Sequence, residues 1–154
     1  MGKNIEYGNI YEIKLPNAKY VYICWIEECS FAVFDYYSEK PIDSIEKLQS
    51  KGFKIFKEGK ETAIRKKIWK LVGHIDLKKE NIEWPDLASY RVWDVESSIE
   101  NSRVMRKGNL VNVQRERFLE LVEKGYIYGF FDKPENFERW LVEHIEDYPK
   151  NVKW

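Results

Sequence analysis

Three runs of alternating apolar and polar residues occupy the N-terminal part of the chain. They cover residues 10–15, 20–26 and 30–37, and the short polar segments 16–17 and 27–28 lie between them. A period of two is typical of strands that bury one face, and connections this short join antiparallel neighbours. The N-terminal segment therefore predicts a three-stranded antiparallel β-meander.

The rest of the chain predicts more strands, with helices mainly in the C-terminal third. Residues after Asp132 and Pro134 have the clearest helical pattern, because Phe137, Trp140 and Leu141 recur at helical spacing. We therefore predict an α+β fold and a single domain over residues 1–154, with the meander forming a strongly bent sheet or a small barrel. Predicted strands cover residues 53–57, 68–77, 90–95, 103–107, 110–113 and 126–131, and predicted helices cover 44–50, 115–124 and the segment after Asp132.

Charge and hydropathy exclude some partners and locations. The 26 basic side chains equal the 26 acidic ones, so no net charge attracts the chain to nucleic acid or to a membrane surface. The longest apolar run, residues 20–26, is too short to cross a bilayer, and residues 1–7 lack the apolar part of a secretory signal. These features predict a cytoplasmic protein with no membrane partner.

The sequence contains no recognisable catalytic or metal-binding motif. His74 and His144 are the only histidines, and neither they nor Cys24 and Cys29 have zinc-ligand spacing. A nucleophile elbow and a phosphate-binding loop are also missing. We therefore expect no catalytic residues, no metal and no cofactor.

Asp35 is the carboxylate that the strand pattern places among apolar neighbours. Alternation puts it on the same face as Phe31, Val33 and Tyr37. A carboxylate in such surroundings must be paired or hydrogen-bonded. We expect a structural buried carboxylate at Asp35, with a functional acid as the alternative.

Residues 51–79 form a basic segment. They carry ten basic and three acidic side chains, and Phe53, Phe56 and Trp69 lie among the lysines. Basic side chains interleaved with aromatic ones can bind single-stranded nucleic acid through phosphate contacts and stacking. Lysines at this spacing also make an ordinary solvated strand face, which is the simpler interpretation. The segment leaves open both a nucleic-acid-binding module and an ordinary charged surface.

The 24 aromatic side chains exceed what a core of this size requires, and Tyr and Trp often anchor protein interfaces. Residues 84–94 are the best candidate for such an interface, because they combine a Pro-containing loop with a predicted strand that alternates aromatic and charged residues. Two tyrosines could extend the patch if the sheet brings them near, whereas Trp84 and Trp93 could instead close the end of a small barrel. The candidate partner-binding residues are Tyr36, Tyr37, Trp84, Tyr90, Arg91, Trp93 and Asp94.

Several segments also follow the order and spacing of a known family. They are residues 8–15 with 20–22, 34–38, 69–77, 84–94 and 119–141. Together they resemble the immunity protein 26 family of bacterial polymorphic toxin systems, although that family usually has Pro in place of Asp76 and residues 101–114 have no counterpart. The resemblance implies a non-enzymatic α+β protein that neutralises a cognate toxin by stoichiometric occlusion. The alternative function is a small nucleic-acid-binding module that uses residues 51–79.

Overall fold

The computed structural model describes residues 6–150, and residues 1–5, which contribute to the expectation about a secretory signal, lie outside that range. The described part contains both strands and helices, as predicted, and the two longest helices lie in the C-terminal third. The strands are β1 (Asn9–Lys14), β2 (Tyr20–Glu27), β3 (Ser30–Phe34), β4 (Phe53–Gly59), β5 (Lys70–His74), β6 (Leu87–Ala88), β7 (Arg103–Arg106), β8 (Asn109–Asn112) and β9 (Phe130–Phe131). The helices are α1 (Ile45–Lys51), α2 (Thr62–Arg65), α3 (Val95–Asn101), α4 (Arg115–Lys124) and α5 (Pro134–His144).

The predicted meander forms the centre of a six-stranded sheet with the order β5-β1-β2-β3-β4-β9. Neighbouring strands are antiparallel, except that β9 pairs with β4 in parallel. Within residues 6–150 the sheet has two free edges, β5 and β9, so the small barrel considered from the sequence is not formed. The sheet is open, and its edges are available to other contacts.

Helices and loops cover both faces of this sheet. On one face, Phe137, Trp140 and Leu141 of α5 pack against the strands together with part of α2. On the other face, Leu48 of α1 and Leu87 of β6 belong to the second apolar cluster. Covering both faces explains why all five residues of β3 are buried, because a strand between two apolar layers has no solvated side.

A smaller sheet with the order β6-β7-β8 packs against α4. The hairpin predicted around Gly108 is present, and its turn residues, Lys107 and Gly108, both have positive φ (48° and 82°). That backbone conformation is typical of a two-residue hairpin turn. The predicted helix 115–124 is α4, and Gly125 ends it in the left-handed conformation, with φ of 80°.

One predicted strand is wrong, and two helices, α2 and α3, were not predicted. Residues 90–94 form a loop rather than a strand, and α3 begins at Val95 because Asp94 caps it. The short helix α2 lies in a polar stretch that carries no helical periodicity. None of the described helices has the length and apolar character needed to span a bilayer.

Candidate partner-binding surface

Trp93 is the most exposed large hydrophobic side chain in the described part of the molecule, with 75% of its area accessible. It lies in residues 89–94, here called the Trp93 loop, directly before the residue that caps α3. Asp94 Oδ1 accepts a hydrogen bond from Ser97 N at 3.4 Å, and the Asp94 carbonyl accepts one from the Ser98 amide at 3.1 Å. A residue preceding the N-cap usually packs against an apolar fourth helical residue. That position holds Ser98, so it supplies no apolar partner for Trp93.

A buried serine holds the Trp93 loop against the helix. The Ser98 hydroxyl accepts a hydrogen bond from the Arg91 amide and donates one to the Asp94 carbonyl, both at 2.9 Å. Tyr90 is half-buried, and its ring centroid lies 6.5 Å from that of Phe118 in α4. The loop is therefore braced from both ends. This bracing presents Trp93 on a fixed support, which reduces the entropy lost when a partner binds.

The four candidate binding residues between 90 and 94 differ in solvent exposure. Trp93 and Asp94 are exposed, whereas Tyr90 and Arg91 are half-buried. The predicted strand in which Tyr90 and Trp93 alternate with Arg91 and Asp94 does not exist, because the segment is a loop. Tyr90 supports the loop, and Trp93 with Asp94 forms the part that a partner can reach.

Trp84 lies in a different environment, between the core and solvent. Its ring packs edge-on against Phe56, with 5.4 Å between the centroids, and the side chain is half-buried. Next to it, Arg106 donates two hydrogen bonds to Asp86, at 3.0 and 2.7 Å. These bonds hold the pKa of the Asp86 carboxyl below its usual value. Trp84 borders an open groove of about 350 Å³ that also includes Glu27, at the end of β2.

Tyr36 and Tyr37 do not line that groove. Their segment follows β3, and Ser38 bridges to Tyr20 at the beginning of β2. Six residues separate Tyr20 from Ile26, which lines the Trp84 groove, and strands rise by about 3.3 Å per residue, so roughly 20 Å lies between the two positions. Tyr36 packs on the same apolar cluster as Trp84, whereas Tyr37 packs on the cluster of the opposite face, so the two tyrosines do not extend the Trp84 groove together.

Both tyrosines already have partners on the surface where they lie. Tyr36 packs edge-on against Tyr22, and its hydroxyl donates to the Lys40 carbonyl. The Tyr37 hydroxyl accepts a hydrogen bond from Asn17 Nδ2 at 2.7 Å, and the Lys19 ammonium lies 4.7 Å from the ring centroid. Tyr37 therefore helps to fix the turn between β1 and β2, whereas Tyr36 packs on β2 and bonds to its own loop.

The predicted buried carboxylate is wrong, because Asp35 is exposed. β3 ends at Phe34, and a register shift after Val33 interrupts the alternation that placed Asp35 among apolar side chains. The Asp35 amide donates to the Gly52 carbonyl at 2.9 Å, so the residue continues the chain around the end of α1. Asp35 is therefore not a buried structural carboxylate.

Glu61 is the carboxylate that the core does bury, with 8% of its area accessible. Its Oε2 accepts hydrogen bonds from Trp25 Nε1 at 3.0 Å and from the Cys29 amide at 2.7 Å, and its Oε1 accepts one from Arg65 at 2.8 Å. It thereby connects the β2–β3 turn to α2. The i,i+4 spacing of Glu61 and Arg65 was the sequence signal for this ion pair.

The basic segment does not form a continuous cationic stripe. Lys57 is fully buried, donates to the Ile127 carbonyl at 2.7 Å and lies 5.1 Å from the Trp140 ring centroid. Burial holds the pKa of the Lys57 ammonium well below its usual value. Lys60 pairs with Asp132 at 2.9 Å, so it too is engaged. Lys66, Lys67 and Lys70 of this segment are exposed next to β5 and are described below.

The two histidines have structural contacts. His74 Nδ1 lies 2.9 Å from Asn9 Oδ1, and the His144 ring packs on Trp140 with 5.0 Å between centroids. Within residues 6–150, no three His, Cys, Asp or Glu side chains form a group that could hold a metal ion.

Comparison with known proteins gives one match. No curated protein and no solved structure matches the chain. The immunity protein 26 family model matches residues 6–99, a range that runs from before β1 into α3 and contains the Trp93 loop. The similarity noted for residues 119–141 lies outside this match. Because the matched residues make up more than half of the 154-residue chain, the protein belongs to the immunity protein 26 family.

Proposed function

We propose that this protein is a non-enzymatic, cytoplasmic immunity protein that binds a cognate polymorphic toxin and neutralises it by stoichiometric occlusion. Membership of the family supports an immunity role in general. The observation that supports a particular binding surface is the exposure of Trp93. This side chain is 75% exposed on a braced loop inside the matched range. A Trp in that position is accessible to a partner without any rearrangement of the core.

The energetics of an exposed Trp favour a binding role. Trp side chains are among the commonest interface hot spots, and truncating one often costs 2 kcal/mol or more of binding free energy. Asp94 and Glu96, which follow Trp93 in sequence, are exposed, and Arg91 is half-buried. Polar groups around a central aromatic side chain form the rim that excludes water from such a contact. We therefore place Trp93 at the centre of the toxin contact and Asp94 at its rim.

Co-expression with the product of the neighbouring gene, taken as the candidate toxin, tests the function. Cells should survive with the wild-type protein, and the two purified proteins should elute from a sizing column as one complex. If the toxin kills equally with and without this protein, and no complex forms, the immunity proposal is wrong.

Trp93→Ala tests the surface separately. We expect protection to fall and the dissociation constant, measured by calorimetry, to rise at least about 30-fold, which corresponds to about 2 kcal/mol. Phe130→Ala is the matched control, because Phe130 is also an exposed aromatic residue (46%) but lies in β9 at an edge of the large sheet. Unchanged affinity in Trp93→Ala would move the contact elsewhere while leaving the immunity function intact.

A further inference from the structure

The outer edge of β5 combines three features of a peptide-binding strand. β5 pairs with β1 on one side, and no strand of residues 6–150 pairs with its other side. The opposite edge of the sheet, β9, has only two residues, whereas β5 has five. Unpaired amide and carbonyl groups along such an edge can pair with an additional strand.

Apolar side chains are exposed beside this edge. Ile68 is 58% exposed and Leu71 is 43% exposed, and both border a groove of about 290 Å³. Trp69 lies between them in sequence but is buried, with its Nε1 donating to Glu138 at 3.0 Å. Because Trp69 and Tyr11 form part of the groove wall, an apolar side chain of an added strand would contact a fixed aromatic surface.

Three lysines surround the same edge. Lys66, Lys67 and Lys70 are all exposed, and none has an ion-pair partner among the described residues. They are three of the exposed lysines of the basic segment, and they lie next to β5 in sequence. Two copies of this chain paired through β5 would bring six ammonium groups together, and such like-charge contacts are unfavourable. The lysines therefore select against self-pairing and favour a strand that carries carboxylates.

The register of β5 indicates which residue pattern an added strand needs. Leu71 faces Tyr11 across the β1–β5 pair, and Lys70 faces Glu12. Successive side chains of a strand point to opposite faces, so Leu71 and Lys70 diverge, although both residues border the groove. We infer that the β5 edge binds an extended acidic segment of a partner polypeptide, with apolar and acidic residues in alternation. This surface is separate from the Trp93 loop and does not depend on the proposed function.

A synthetic peptide tests the inference directly. The probe is the blocked heptapeptide Thr-Glu-Val-Glu-Val-Glu-Thr, titrated into the isotope-labelled full chain and followed by NMR. We expect amide shifts concentrated in residues 68–74, slower amide exchange in β5, and an affinity that falls as salt rises. The matched peptide with Lys in place of Glu should bind at least tenfold more weakly.

Two pairs of variants assign the contact. Lys66→Glu, Lys67→Glu and Lys70→Glu combined should weaken peptide binding at least tenfold, whereas Lys78→Glu with Lys79→Glu, which reverses other exposed lysines of the basic segment, should not. Leu71→Asp should also weaken binding, and Leu119→Asp should leave it unchanged, because Leu119 is similarly exposed (39%) but lies on α4. Unchanged urea midpoints in all four variants would show that the fold is intact.

Several results would overturn the inference. They are the absence of shifts at millimolar peptide, equal binding of the lysine peptide, and shifts confined to residues outside 68–74. Tighter binding of anionic vesicles or of an oligonucleotide through the same lysines would assign the surface to lipid or nucleic acid instead. A β5-dependent dimer on a sizing column would assign it to a second copy.

Discussion

Trp140 and Trp93 lie in two regions of the molecule that differ in solvent exposure. Trp140 is 6% exposed and lies in the apolar layer between α5 and the large sheet, whereas Trp93 is 75% exposed on a loop. The difference follows from position relative to a helix. Trp140 falls on the buried stripe of α5, but Trp93 precedes a helix whose fourth residue is a serine. Aromatic content alone therefore does not distinguish a core from an interface.

The largest effect on stability should come from the core member of this comparison. Trp140→Ala should lower the free energy of unfolding by about 3–5 kcal/mol, because it removes a large side chain from a close-packed layer and leaves a cavity. Urea denaturation followed by far-UV circular dichroism measures the loss. A change within about 0.5 kcal/mol would be that of a surface position and would contradict the buried assignment.

The carboxylates Glu61 and Asp35 extend the comparison from aromatic to acidic residues. Glu61→Ala should cost about 1–3 kcal/mol, because it leaves the Trp25 Nε1–H and Cys29 N–H donors without their acceptor. Asp35→Ala is the control and should shift stability by less than about 0.5 kcal/mol. Glu61→Gln, which keeps an oxygen acceptor, should recover part of the loss. Equal losses of unfolding free energy in Glu61→Ala and Asp35→Ala would contradict a stabilising role for the hydrogen bonds to Glu61.

Lys57 should make the free energy of unfolding depend on pH in a way that the exposed lysines do not. Its folded-state pKa is below the usual 10.5 because of burial, so the unfolded chain binds more protons between that lowered pKa and 10.5. Stability should therefore rise with pH in this window, by at most about 1.4 kcal/mol per pH unit for one proton. Lys57→Met should lose this rise in urea midpoints, and the exposed control Lys51→Met should keep it. Parallel pH profiles for all three proteins would contradict the prediction.

The smallest stability effect should be at Trp93. Trp93→Ala should change the free energy of unfolding by less than about 0.5 kcal/mol, because the side chain is largely in solvent already. The same urea assay used for Trp140→Ala measures it. A loss of several kcal/mol would mean that the Trp93 loop depends on this ring, and any effect on toxin binding would then need a different variant.

Local patterns predicted well those elements whose signals lie within one segment. α4 has the predicted bounds, and α5 begins at Pro134, two residues after the predicted cap. Asp132 itself does not cap the helix but pairs with Lys60. The β2–β3 turn shows the limit of such patterns. Residues 27–28 were interpreted as the connection between the second and third strands, yet Glu27 belongs to β2 and pairs with Ser30, and a register shift lies between Trp25 and Glu27.

The candidate surface was only partly predictable for a related reason. Trp93 and Asp94 were named from composition, and the structure leaves both exposed. Their loop was mistaken for a strand because Tyr90 to Val95 alternates like one, although Asp94 also has the chemistry of an N-cap. No short-range pattern in the sequence indicates how far Tyr36 and Tyr37 lie from this surface.

The sequence by itself determined the α+β class, the meander, the late helices and the family, since each depends on short-range periodicity or on ordered motifs. Only the tertiary structure decided which charged groups are buried. Lys57 and Glu61 lie inside because elements distant in sequence close over them, with partners at Ile127 and Trp25. A side chain's own neighbours in sequence do not set its solvation, so burial, pKa and free strand edges emerge when the segments pack together.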